Sequence, residues 1–246
     1  MGVRLVAKGV DAESFATEYA APVRRGLEAI HFLNTNLVKA ARNYAPGKEQ
    51  GRVIGTPVPQ AAYLSCKGTV NCIESAMSET EAMTVFVVAR TAADGSLVAE
   101  RPMFMGNYQG LNVDGGVAWG SSIYLSALNR ITGTAGFGTD AASNVNSLAG
   151  VTKTAVANQW ALYMLQVSSA GVTIRDFTSN LTQNTGASIP RRLATGKIRI
   201  GSGQTNLLGS CDVALFQGHS LLLTEAEIQT TVADLRAYML RKGINI

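Results

Sequence analysis

Met83-Thr84-Val85-Phe86-Val87-Val88-Ala89-Arg90 is the stretch on which the fold turns. Successive side chains of a strand point to opposite faces, so a run that is apolar at odd and even positions alike needs cover on both sides. Rich in valine and closed by Arg90, it reads as a central strand buried between one sheet and a further layer. Lys197-Ile198-Arg199-Ile200 alternates instead, which predicts isoleucines turned to a core and both cations turned to water.

Around these two runs, short apolar or alternating segments divided by Gly, Pro, Asn and Asp predict further strands at 27–33, 61–66, 70–75, 96–105, 117–125, 131–137, 160–167, 172–177 and 211–217. That is more than the usual four to six or so of one sheet, so two packed sheets are expected. One helix stands out at the end. Thr224-Glu225-Ala226-Glu227 is a capping box, and Ile228, Val232, Leu235 and Met239 form one apolar stripe before Gly243 stops the helix. It should pack on the outside or end of the sandwich.

Composition agrees with an all-β reading. Of 246 residues, 46% are hydrophobic and 15% charged, which argues against disorder and coiled coil. Residues 1–55 hold eight Lys/Arg against five Asp/Glu, so of the net charge of +4 only +1 falls on the remainder. A body this neutral gives no reason to expect nucleic acid as a partner. No apolar run of membrane-spanning length occurs, and the first ten residues lack the h-region of a secretory signal, so a soluble chain with no membrane insertion is expected. Cys66, Cys72 and Cys211 make an odd set with no CxxC, so neither a disulfide framework nor a zinc site of recognisable spacing is present.

Residues 1–26 differ in pattern from the remainder of the chain. Asp11 to Ala21 is compatible with a short helix ended by Pro22, with Phe15 and Tyr19 on one side. The segment reads either as an attachment arm, with Phe15, Tyr19, Arg24 and Arg25 as its contact residues, or as a helix packed on its own domain. The expected domain proper is 27–246.

Four segments, in this order, resemble the laminin-G-like branch of the concanavalin A-like lectin/glucanase fold. They are Leu27–Leu33 with Ala41–Gly47 and Gly51–Pro57; Tyr63-Leu64-Ser65-Cys66-Lys67-Gly68-Thr69-Val70-Asn71-Cys72-Ile73-Glu74; Asn158-Gln159-Trp160-Ala161-Leu162-Tyr163-Met164-Leu165 with Gly171–Phe177; and Lys197–Gly201, Cys211–Phe216 and Leu223–Ile228. The resemblance implies a jelly-roll sandwich of two antiparallel sheets, with 63–74 as a hairpin and 171–177 as the hairpin partner of 160–167. Versions with this Met83–Arg90 strand and a C-terminal helix look like those of bacteriophage particles, which implies a virion protein, other virion proteins as partners and a homo-oligomer. Cys66 and Cys72 depart from the aromatic residues that usually stand there; the implied hairpin sets them facing each other across its turn, as buried free thiols before a disulfide.

The acids and histidines form no recognisable catalytic set. Glycosidases of this fold set paired carboxylates on one strand; Glu79 and Glu81 precede theirs and read as capping or solvated, and Glu225 with Glu227 belongs to the helix cap. His31 reads as a hydrogen-bonded strand residue near the sandwich edge and His219 as a loop residue, with no GxSxG beside either. No catalytic residue is assigned. Arg191, Arg192, Lys197 and Arg199 read as a solvated face before an anion patch. No cofactor is called for; calcium is the one metal the resemblance implies, and Asn107–Asp114 and Asp140–Asn146 each offer a single acid for it.

A sugar site needs an aromatic platform with polar partners, and Asn107, Tyr108, Asp114 and Trp119 are the candidates. The alternation of Trp119 with Val117 and Ile123 reads more readily as core, and Trp160 more so still. The expectation is therefore a non-enzymatic structural or adhesive component of a phage particle, in the virion, with a lectin recognising a host surface polysaccharide as the alternative and a polysaccharide hydrolase behind both.

Overall fold

The computed structural model describes residues 13–246. In chain order the strands are β1 (Leu27–Phe32), β2 (Arg52–Ile54), β3 (Val58–Pro59), β4 (Leu64–Lys67), β5 (Cys72–Ser78) and β6 (Met83–Arg90). Then come β7 (Met103–Gly106), β8 (Gly110–Leu111), β9 (Val117–Ala118), β10 (Ser122–Ala127), β11 (Arg130–Phe137) and β12 (Val145–Thr152). The last are β13 (Ala161–Ser168), β14 (Gly171–Asp176), β15 (Leu181–Gly186), β16 (Lys197–Ile200) and β17 (Ser210–His219). Helix α1 (Leu37–Ala41) follows β1, and α2 (Glu225–Arg241) follows β17.

Two antiparallel sheets face each other. The first runs β15-β14-β13-β6-β17-β4-β3, with β1 beside the far half of β17; the second runs β12-β11-β10-β7-β16-β5-β2; β8 and β9 pair apart from both. Val85, Val87 and Ala89 of β6 belong to the core between the sheets, whereas Phe86 and Val88 belong to a second core outside the first sheet. Helix α2 closes that outer core with Ile228, Val232, Leu235, Tyr238 and Met239. Its capping box is formed in full, with Thr224 accepting from the Glu227 amide and Glu227 from the Thr224 amide. β6 therefore has the two-sided cover its composition demands, and Ile198 and Ile200 of β16 are fully buried as alternation requires.

Several expectations shift. The stretch 63–74 is a hairpin only at its turn: Lys67 and Asn71 exchange both backbone hydrogen bonds at 2.9 Å, but beyond that bridge β4 joins the first sheet and β5 the second. Thr69 sits at φ 61, and a Cβ on Gly68 would meet the Leu207 carbonyl oxygen at 2.1 Å, so this crossing is packed too closely for a side chain. Cys66 consequently pairs in register with Cys211, not with Cys72, and all three thiols are free and buried. The run 117–125 is broken at Gly120, whose φ is 65 and whose Cβ would strike the Asn107 carbonyl oxygen. Only 103–105 of 96–105 is strand, β7 running on to Gly106; Val98–Glu100 is a 3-10 turn. β12 and β15 have no counterpart among the expected strands.

The segment expected as a helix over 11–21 begins outside the described residues, as do the first twelve of the expected arm. From Glu13 onward it is a single 3-10 turn, Glu13–Phe15, followed by irregular chain that bends at Thr17-Glu18 and at Pro22. Its described part lies against the sandwich: Tyr19 donates to Asp234 at 2.9 Å and packs edge-on to Phe32 at 5.1 Å. Arg25 forms two hydrogen bonds to Glu227 at 2.6 and 2.7 Å. Phe15 is 85% exposed, and Arg24 reaches its neighbour Ala21.

His31 is fully buried, with Nδ1 hydrogen-bonded to the Ala40 carbonyl at 3.1 Å. His219 is no loop residue; it ends β17, buried, with Nδ1 bonded to the Arg25 carbonyl at 2.9 Å. Burial lowers the His31 pKa to about 4, the Ala40 carbonyl opposing it in part. A histidine with a depressed folded pKa contributes stability above its unfolded pKa of about 6.5 and loses it as pH falls toward 4. Denaturant midpoints should therefore drop between pH 7 and pH 4, by on the order of 3 kcal/mol from this residue, and His31→Phe should flatten that slope. Phe86→Ala should cost about 3–5 kcal/mol in urea unfolding, since α2 cannot follow β6 inward to fill the space.

Candidate functional site

The loops at one end of the second sheet converge. Glu79 follows β5, residues 107–121 join β7 to β10 through the β8–β9 hairpin, and 187–196 lead into β16. A buried polar frame ties them. Glu79 accepts the backbone N–H of Ser121 through one carboxylate oxygen and that of Ala194, at 2.7 Å, through the other. Arg191 lies 3.9 Å from the same carboxylate and donates to Ser121 Oγ at 3.0 Å and the Gly136 carbonyl at 3.3 Å. Both side chains have no exposure at all, so each depends on the other and on the surrounding peptide groups to offset the cost of its burial. Burial pulls the Arg191 guanidinium below its ordinary pKa while Glu79 and Glu81 push it back.

The hairpin itself is fastened from the same loop. Asn107 donates to the carbonyls of Ala194 at 3.3 Å and Gly196 at 2.6 Å, and Asn112 donates to Leu193 at 2.7 Å. Arg192 grips both oxygens of Asp114 at 2.7 and 2.9 Å and reaches the Val117 carbonyl at 3.0 Å. That guanidinium, with help from the Gly116 amide, holds the Asp114 carboxyl below its usual range.

On this frame sit three rings. Tyr108 lies between Trp119, centroids 5.4 Å apart, and Tyr124, 5.6 Å apart. Tyr124 is buried, whereas Tyr108 and Trp119 are half-buried and keep part of their surface open. Beside Tyr108 the Gln109 side-chain oxygen accepts from Thr205 at 3.1 Å and from the Asn206 amide. Leu111, Val113 and Val117 make the hairpin's outer surface apolar, with Val113 88% exposed. The site offers open aromatic surface flanked by neutral amides and hydroxyls.

Of the four residues expected here, the structure brings Tyr108 and Trp119 together as a surface pair and puts Asn107 and Asp114 beneath and beside them as fasteners. Trp119 is not core; Val117 points to solvent and only Ile123 to the interior, because the Gly120 break resets the alternation. Trp160 is likewise half-buried, packing on Tyr63 at 5.4 Å with the Arg90 guanidinium 4.8 Å from its ring. Glu79 is neither cap nor solvated; Glu81 alone is exposed. Arg191 and Arg192 are not on a solvated face: both are buried. Nothing in the sequence marks Glu79, Arg191 or Gln109, since each partner is distant along the chain. Asp140 of the other loop weighed for calcium accepts the Ser143 amide at 2.8 Å. Among the described residues no three His, Cys, Asp or Glu side chains gather as a metal site, and no helix is long and apolar enough to cross a membrane.

The fold is a sandwich of two antiparallel sheets, and solved structures share it. The binding domain of botulinum neurotoxin DC in complex with SialylT superposes with a TM-score of 0.61 at 10% identity over 86% of this chain and 52% of that one. The binding domain of botulinum neurotoxin serotype D gives 0.62 at 10% identity over 87% and 52%. The serotype D ligand-binding domain in complex with N-acetylneuraminic acid gives 0.58 at 10% identity over 91% and 52%. The chain thus spans about half the length of these binding domains, and at such identity the likeness is one of fold. By sequence, no protein family and no curated protein matches.

Glu79→Ala should leave Arg191 buried without its partner carboxylate and release two backbone amides, at a cost of about 3–5 kcal/mol in thermal or urea unfolding. Replacing the exposed Glu81 by Ala should move the midpoint by no more than about 0.5 kcal/mol.

Proposed function

We propose that the protein is a non-enzymatic, lectin-like binding module that recognises a surface glycan through the half-open rings of Tyr108 and Trp119. The observation that carries this reading is the pair itself: two aromatic side chains kept partly in solvent by a buried Glu79–Arg191–Asn107 frame, with Gln109, Thr205 and Asn206 alongside. Pyranose rings present apolar C–H faces to aromatic surface and hydroxyls to neutral amides, and a frame fixed before binding lowers the entropy lost on association. The solved sandwiches of similar fold include two whose complexes contain SialylT or N-acetylneuraminic acid, which supports a glycan over other ligands.

For its setting, we propose a bacteriophage particle, with laminin-G-like kinship, other virion proteins as neighbours and a homo-oligomeric arrangement. The support is the sequence resemblance carried by Met83–Arg90 and the C-terminal helix. Host attachment joins the two parts, since a particle that displays such a module repeatedly gains avidity from weak single contacts.

A glycan array read with the purified chain should show a restricted set of bound saccharides. Trp119→Ala and Tyr108→Ala should each weaken binding about tenfold or more without lowering the melting temperature substantially, because both rings lie at the surface of the frame. An array with no retained saccharide, or binding indifferent to both substitutions, would remove this reading.

A further inference from the structure

Away from the aromatic pair, Glu13 is held in a basic socket. Lys39 of α1 meets one of its carboxylate oxygens at 2.5 Å, Tyr238 of α2 donates to the same oxygen, and Lys242, just past the end of α2, meets the other. The two lysine side chains are only 11% and 18% exposed. Beside the seated carboxylate a cavity of about 390 Å³ remains, bordered by Thr35, Asn36, Arg42 and Tyr44 as well as the lysines. Arg42 lies over the Tyr44 ring, with its Cζ 5.9 Å from the centroid.

Two points set this socket apart from a surface ion pair. These three donors all come from residues beyond 26, outside the segment that carries Glu13. The border carries the cations Lys39, Arg42 and Lys242 around the Glu13 carboxylate. The occupant's segment is seated on the outer core: Arg42 donates to the Ala16 carbonyl at 2.8 Å, the Tyr19 amide to the Tyr44 carbonyl at 2.8 Å, and Ala16 and Tyr19 pack against that core, while Phe15 beside them is 85% exposed.

We propose that this socket is a carboxylate-binding site for an acidic sugar of the uronic acid class, which Glu13 occupies in cis until the segment lifts. The ligand's carboxylate takes the place of Glu13 between Lys39, Tyr238 and Lys242, and its ring enters the adjoining cavity, whose size lies in the range of small-ligand pockets. Burial pushes the Glu13 carboxyl up, but the hydrogen bonds of Lys242, Lys39 and Tyr238 together outweigh it and hold the group near about 2, so at neutral pH the plug is always charged. A tethered carboxylate competes at an effective concentration of about millimolar, which sets how much free ligand the intact chain needs.

The test is a titration of the full chain with D-glucuronate at low ionic strength, followed by chemical shifts, with D-glucose as the neutral control. Glu13→Ala should bind glucuronate at least tenfold more tightly than the unaltered chain, glucose should bind neither, and adding Lys39→Ala or Lys242→Ala to Glu13→Ala should abolish the gain. Trp119→Ala should leave the gain intact, which separates this site from the aromatic pair. Equal glucuronate binding by Glu13→Ala and the unaltered chain, with circular dichroism showing both folded, would overturn the proposal. So would an unaltered chain that self-associates through Glu13 and a Glu13→Ala chain that neither associates nor takes up glucuronate.

Discussion

The two-sided burial of β6 is the constraint on which the remaining architecture depends. A strand with Val85 and Val87 on one face and Phe86 and Val88 on the other cannot lie in a sheet with a wet side, because each such side chain left exposed forfeits about 1.5–3 kcal/mol. One face is met by the second sheet. The other is met by α2, and that requirement explains why the helix carries its apolar stripe, why its capping box is complete, and why Tyr19 and Arg25 run back across the sandwich to α2. β13 and β17 flank β6 on both edges, so the most apolar strand is also the most enclosed.

With the sheets fixed in this way, their loops can carry charged groups that would be costly in the open core. Glu79 and Arg191 are buried as a pair, and each also serves backbone groups of the loops around it. Such a pair adds little net stability over an apolar substitute, yet it specifies one loop arrangement, because any other leaves a buried charge unmet. The surface rings of Tyr108 and Trp119 inherit that definition. In the same molecule Glu13 is a second carboxylate met by groups distant along the chain, Lys39, Tyr238 and Lys242.

What could be read in the sequence was what periodicity encodes. The all-apolar β6, the alternating β16 and the capped α2 each announce both their structure and their buried face. β12 and β15 escaped because they are edge strands: Leu181-Thr-Gln-Asn-Thr-Gly186 is polar on both faces, and Val145–Thr152 dilutes its pattern with Asn, Ser and Gly. The crossing at Gly68 escaped because a tight turn between two apolar runs looks the same whether the strands pair or part. The aromatic members of the candidate site were legible as residue types, but the frame was not. Glu79 meets Ala194 and Asn107 meets Gly196 across some ninety residues or more, and nothing local distinguishes an acid that will be buried from one that will be solvated.

The central claim is that a doubly covered strand anchors a sandwich whose 107–121 and 187–196 loops are fixed by buried charge. Native-state hydrogen exchange reads both halves at once. The account predicts that amides of Val85 to Val88 exchange only through global unfolding, and that the amides of Ser121 and Ala194, though in loops, are protected far beyond those of 139–143. Ser121 and Ala194 exchanging at the rate of open loop amides, or β6 exchanging ahead of edge strand β15, would contradict it.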